Sequence, residues 1–171
     1  VNGTVTGGTQ YRDYLLRNTG TAFEDVTPES LKALAADHGA AFADFDRDGD
    51  LDLALTGVGT AVMPLLFRNM LPADAAGRSL SVRVVDSRGR ATLAGAEVRL
   101  FAAGTRRLLG MRLVDSGSGY NTQDDAPVHF GLAKMEAVDV EVTWPGAGKK
   151  VTATQRRVNP RVTRAVTVKV Q

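Results

Sequence analysis

Five aspartates fall within nine residues at Asp44-Phe45-Asp46-Arg47-Asp48-Gly49-Asp50-Leu51-Asp52, and no other stretch of the chain speaks so specifically about chemistry. Hard oxygen ligands on alternate residues, with a glycine at the sixth place where the chain must turn sharply, are what a loop wrapped around Ca²⁺ requires. In this reading Asp44, Asp46, Asp48 and Asp52 offer side chains and Asp50 offers its backbone carbonyl. An EF-hand would close on a bidentate Glu at the twelfth place, where this chain has Leu55, so that variant of the reading fails. A bare acidic turn would leave the carboxylates repelling one another at short range. A D-x-D phosphotransferase nucleophile would want a following Ser or Thr that is absent here.

The elements that must position the loop read as strands. Ala40 to Phe45 before it and Leu51 to Leu55 after it have no helical period, and the second alternates, so the loop is expected in a β-hairpin. Upstream, Thr27 and Pro28 suit an N-cap and a first helical position, and the run through Ala36 predicts a short helix ended by His38-Gly39. Tyr14-Leu15-Leu16-Arg17-Asn18 recurs as Leu65-Leu66-Phe67-Arg68-Asn69, and a period of roughly fifty residues is that of stacked β-units such as propeller blades. Leu71 to Gly77 reads as a linker, which places a boundary at about residue 75 between regions 1–75 and 76–171. Beyond it, strands are expected at Leu80–Asp86, Ala96–Phe101, Arg107–Val114, Pro127–Leu132, Val138–Trp144 and Val162–Val170. Their turns would be Ser87–Arg90, Ala102–Thr105 and Pro145–Gly148. The fold class is therefore all-β: a partial propeller-like calcium-binding repeat followed by a small antiparallel β-sandwich or barrel.

Composition supports this. A chain of 171 residues with 43% apolar side chains can bury one good core or two small ones, and the absence of Cys means that no disulfide staples it. Residues 1–77 carry five basic and eleven acidic side chains, net −6, whereas residues 78–171 carry sixteen and eight, net +8. From Lys149 onward there are seven basic residues and no acidic one. Such a face can guard a strand edge or meet an acidic partner, and Arg156, Arg157, Arg161 and Arg164 are its candidate contacts. Nucleic acid would call for aromatics interleaved with the basic run, and residues 149–171 contain none. No apolar run approaches the length of a membrane span. With neither an initiator Met nor a signal peptide, Val1 is expected to begin a processed chain or a fragment. Because cytosolic calcium is scarce, a loop of this kind points to a secreted, periplasmic or cell-surface setting.

The other chemistry-bearing residues give less. His38 and His129 are the only histidines, and there is no Cys nucleophile, G-x-S-x-G, Walker loop or H-E-x-x-H. A hydrolase would have to be built from Asp124, Asp125 and His129, whereas His129 in a strand pattern suits a hydrogen-bonded structural role. Ser116-Gly117-Ser118-Gly119-Tyr120 is glycine-rich but does not lead from a strand into a helix, as a phosphate cradle would. It reads as a structural loop, with Ser118 and Tyr120 as candidate contacts to a sugar or protein. The lone Trp144 suits a β core better than a stacking platform.

The segment from Ala40 to Leu55, with Phe42-Ala43-Asp44-Phe45-Asp46-Arg47-Asp48-Gly49-Asp50-Leu51-Asp52-Leu53 at its centre, resembles an FG-GAP/VCBS repeat of integrin-α-like propellers. Leu15 to Thr27 resembles the strand and turn that precede the next such repeat, so this likeness covers roughly residues 10–70. Residues 78–150 resemble the ASPIC/UnbV domain through Leu93–Val98, Ser116–Gln123, Val128–Leu132 and Val140–Gly146. Ser87-Arg88-Gly89-Arg90 departs from the Ser-Asn-Arg turn usual there, and one repeat plus a fragment is less than a propeller. The resemblance implies Ca²⁺ held by the loop aspartates in an extracytoplasmic, non-catalytic module that contacts protein or glycan. The alternative is a structural subunit docked into a larger assembly.

Overall fold

The computed structural model describes residues 5–6, 9–10, 13–32, 37–57, 64–91, 93–117, 119, 122–123, 127–145 and 149–170. It divides into two compact units. The first comprises Val1–Ala43, Asp52–Asn69 and Gly117–Gln123, and the second Asp44–Leu51, Met70–Ser116 and Asp124–Gln171. The acidic loop thus clusters with the second unit, although its flanking strands belong to the first.

In the first unit, β1 (Val5–Thr6) pairs with β2 (Thr9–Gln10), and β3 (Leu16–Asn18) pairs with β4 (Phe23–Asp25). Of the expected helix the described residues show α1 (Glu29–Lys32), and Ala33 to Ala36 lie outside them. Thr27 is buried ahead of it, accepting the Leu15 N–H at 2.8 Å and donating its hydroxyl to the Asp25 carboxylate, which ties the turn back to the hairpin. β5 (Asp37–Ala43), β6 (Asp52–Gly57) and β7 (Leu65–Phe67) form an antiparallel sheet in which Phe42 faces Leu53 and Leu53 faces Phe67. His38 and Gly39, expected to end the helix, lie inside β5 instead. The repeated segments accordingly occupy different settings, one in a hairpin and the other on a sheet edge. Leu31, Leu53 and Leu55 make the unit's small core with Leu15, Ala40, Leu65 and Phe67 against them.

The second unit is a sandwich. After the short α2 (Ala73–Ala76) come β8 (Ser79–Val85), β9 (Glu97–Ala102), β10 (Leu108–Leu113), β11 (Val128–Gly131), β12 (Val138–Pro145), β13 (Lys150–Val158) and β14 (Ala165–Lys169). One sheet runs β10-β9-β12-β13 and the other β11-β8-β14. Leu80, Val82 and Val84 of β8 alternate inward with Val166 and Val168 of β14, against Val98 and Leu100 of β9 and Val138, Val140 and Val142 of β12. Trp144 completes the core, 8% exposed. Burying Val and Leu on alternate positions stabilises each by roughly 1.5–3 kcal/mol relative to exposure, which is why period-two segments settle as strands here. The all-β reading holds, with one refinement: β14 pairs parallel to β8, Val166 opposite Val82, because the chain crosses back before laying down its last strand. β13 had no counterpart among the expected strands. Its alternation of Val151, Thr152, Ala153 and Thr154 is followed by an irregular register at Gln155–Val158, which breaks the period on which recognition depends.

Candidate metal centre

β5 and β6 deliver the chain into and out of the acidic loop, and the backbone does the rest. Asp46 Oδ1 accepts the Asp48 N–H at 3.2 Å, Asp48 Oδ1 accepts the Asp50 N–H at 3.1 Å, and Asp44 Oδ2 accepts the Gly49 N–H at 3.1 Å. These side-chain-to-backbone bonds curl the loop without helix or sheet. Arg47 (φ 62°) and Gly49 (φ 109°) take left-handed conformations at the turn. A Cβ on residue 49 would lie 2.5 Å from the Ala76 carbonyl oxygen and 3.0 Å from Ser79 Oγ, so position 49 admits only glycine on two counts. His129 Nε2 lies 2.9 Å from the Gly49 carbonyl oxygen and anchors the loop to β11.

The result brings carboxylate oxygens of Asp44, Asp46 and Asp48 all within 4.8 Å of one another. Burial pushes the Asp44 carboxyl above its ordinary range, the Arg47 and Gly49 N–H groups pull it back, and the charges of Asp48 and Asp46 push it up again. Asp44 Oδ1 is buried without a hydrogen-bond partner. A buried carboxylate oxygen left in this way, beside two further carboxylates, fits a cation and fits a bare protein poorly. Asp50 and Asp52 are 4% and 2% exposed, and Asp52 Oδ1 accepts the Asn69 N–H at 2.8 Å. Of the five aspartates singled out by spacing, three therefore converge, while Asp52 is engaged with the Arg-Asn end of the second repeated segment.

The other candidates scatter. Ser118, Tyr120, Asp124 and Asp125 lie outside the described residues, as does the side chain of His38. Arg156 is exposed on β13, and Arg157 is exposed with φ 54°. Arg161 Nε donates to the Met135 carbonyl at 2.9 Å, and the Arg164 guanidinium lies against Gly77. The His129–Gly49 contact had no sequence signal, since its partners stand 80 residues apart.

Comparison with known proteins accounts for the two halves in order. The family profile described as FG-GAP-like repeat matches residues 4–55, and that described as ASPIC and UnbV matches residues 86–170. The chain carries an FG-GAP-like repeat followed by an ASPIC and UnbV domain. The FG-GAP-like match contains the whole acidic loop, and the ASPIC/UnbV match reaches through β13 and β14, some twenty residues beyond the motifs legible by eye. Cartilage acidic protein 1 from Homo sapiens is 36% identical over 130 residues, covering 75% of this chain and 19% of the relative. Its Mus musculus counterpart is 35% identical over the same shares, and that of Xenopus tropicalis is 36% identical over 108 residues, 63% of this chain and 16% of the relative. The chain thus spans about a fifth of the length of the curated relatives it matches. No solved structure matches it. Among the described residues, no helix is long and apolar enough to cross a membrane.

Proposed function

We propose that the FG-GAP-like and ASPIC/UnbV pair is a non-catalytic, calcium-stabilised extracytoplasmic module that makes contacts with protein or glycan. The observation that carries this is the convergence of Asp44, Asp46 and Asp48 around a buried, unpartnered Asp44 Oδ1. Those three carboxylates would hold the ion, with Asp50 and Asp52 completing the set expected from their spacing. When bound, Ca²⁺ supplies charge neutralisation and rigidity. The chain's own contribution is to aim the oxygens through its Asx-type bonds, to turn at Gly49, and to fix that turn from His129. An all-oxygen, carboxylate-rich loop favours Ca²⁺ over the smaller, more strongly hydrated Mg²⁺. The calcium concentrations found outside the cytoplasm suit a loop tuned to the weaker extracellular range of about 10⁻⁴–10⁻³ M. Similarity to cartilage acidic protein 1 supports an extracytoplasmic setting.

A second reading, a subunit completed by further β-units, is favoured by the first unit's exposed apolar side chains. Phe23 is 70% exposed, Leu66 61% and Leu16 52%, apolar surface that a neighbouring β-unit would cover. Calorimetric titration tests the first reading. One Ca²⁺ per chain should bind, Mg²⁺ at the same concentration should not displace it, and Asp48→Ala should weaken binding at least about tenfold by removing a charged ligand. Absence of calcium heat at millimolar concentration would reject the metal centre.

A further inference from the structure

β10 runs against the logic of the sandwich it belongs to. It is an edge strand, the first in the order β10-β9-β12-β13, and its regular stretch pairs Gly110 with Leu100, Met111 with Arg99, Arg112 with Val98 and Leu113 with Glu97. Leu100 and Val98 face the core, so Gly110 and Arg112 occupy the inner face and Met111 and Leu113 the outer one. The polarity is inverted: Met111 is 44% exposed and Leu113 55%, while Arg112 stands 5.7 Å over the Phe130 ring. Leu108, 52% exposed, extends the apolar row. The opposite edge, β13, is guarded by Lys149, Lys150, Arg156 and an irregular register, as natural edges usually are. From Gly110 to Leu113, β10 has a continuous register and an apolar outer face.

Its backbone points the same way. Val114 exchanges both its hydrogen bonds with the β9 side, donating to Ala96 and accepting from Gly95. By the antiparallel alternation, Arg112 also faces β9, whereas Met111 and Leu113 turn their N–H and C=O groups to the edge, where the Met111 carbonyl accepts from the exposed Arg112 Nη1 at 3.1 Å, a bond that strand pairing would exchange for one across the edge. The segment Arg107-Leu108-Leu109-Gly110-Met111-Arg112-Leu113-Val114-Asp115 is complementary to its own reversal. Laid antiparallel on itself about Met111, it sets Met111 opposite Met111, Leu109 beside Leu113, and the basic Arg107 end beside the acidic Asp115 end.

We propose that β10 is a self-association edge, on which a second copy of this chain adds its own β10 antiparallel about a two-fold axis at Met111. The pairing joins two four-stranded sheets into one of eight strands and covers the apolar row of each copy with that of the other. Charge complementarity fixes the direction, since a parallel pairing would bring Arg107 to Arg107 and Asp115 to Asp115.

The chain has no cysteine, which makes the register directly testable. Met111→Cys should form a disulfide-linked dimer under mild oxidation, because residues directly opposite in a hydrogen-bonded pair have Cα atoms about 5.5 Å apart. Leu113→Cys should not, because its two copies would be offset along the strand by roughly 13 Å. Sedimentation of the full chain should give a dimer at micromolar concentration, weakened at least about tenfold by Met111→Lys, which sets like charges opposite each other. Arg107→Asp and Asp115→Arg should each weaken the dimer, and the double variant should restore it. Circular dichroism would confirm that each variant is folded. A wild-type chain that stays monomeric at hundreds of micromolar (on the order of weak self-association limits), or Leu113→Cys linking as readily as Met111→Cys, would overturn the proposal and leave the edge to a partner of another sequence.

Discussion

Two residues show how much a single side chain decides. Gly49 combines a left-handed φ with a backbone oxygen 2.5 Å from where a Cβ would sit, so relief requires the loop or Ala76 to move. Gly49→Ala should cost about 2–4 kcal/mol by urea denaturation, the sum of conformational strain and overpacking. Asp139 is buried on β12, where Oδ1 accepts the Arg157 N–H at 2.7 Å and Oδ2 the Gly104 N–H at 2.9 Å. The Arg157 N–H, then that of Gly104, holds its carboxyl below the ordinary value of 3.8, with Arg156 and Arg157 charges adding to the effect. A depressed folded pKa contributes stability that is present above the unfolded pKa and lost as pH falls through the folded one. Asp139→Asn should therefore lower the urea midpoint at pH 7, and its midpoint should fall less steeply than wild type's below about pH 4. An unchanged slope would remove Asp139 from the acid transition. The acidic loop was legible because its five carboxylates are local. The Asp139 clasp was not, because its partners lie 35 and 18 residues away.

At the scale of elements, the strands that alternate cleanly were readable and those that bend were not. β8, β9, β11 and β12 fall within a residue or two of where period-two patterning puts them, because Val82, Leu100 and Val140 have no other way to leave water. β13 loses its alternation where Val138 pairs with Val158 but Val140 pairs with Gln155, leaving extra residues on β13 opposite Asp139. Arg157 sits in that irregularity with φ 54°, its N–H committed to Asp139. Arg157→Gly should retain or raise stability by up to about 1 kcal/mol, whereas Arg157→Val should cost about 1–3 kcal/mol, both read from thermal or urea unfolding. In the core itself, Leu100→Ala should cost about 2–5 kcal/mol, since Leu100 is 1% exposed and its cavity would be walled by paired strands. The helix expected from Thr27 to Ala36 is described only as one turn, Glu29–Lys32, and Thr27 serves it by clasping Leu15 and Asp25.

At the scale of the molecule, the charge asymmetry and the two profile matches tell one story. The acidic first half contributes an FG-GAP-like repeat whose loop is finished by contacts to Ala76, Ser79 and His129, residues that cluster with it in the second unit. Repeat, order of domains and fold class were legible in the sequence because they rest on local motifs. The anchoring of the loop by β11 was not, because it is a long-range contact. An ion held by Asp44, Asp46 and Asp48 would stabilise the folded chain by mass action, RT ln(1 + [Ca²⁺]/Kd), about 1.4 kcal/mol at a tenfold excess over Kd, which millimolar calcium reaches at the tighter end of the extracellular range. Thermal unfolding in millimolar calcium and in chelator, for the wild-type chain and for Asp46→Ala, tests this most directly. The wild-type chain should melt several degrees higher in calcium (roughly 2–4 °C per kcal/mol at this size), and Asp46→Ala should show no calcium dependence. Equal melting with and without calcium in the wild-type chain would contradict it.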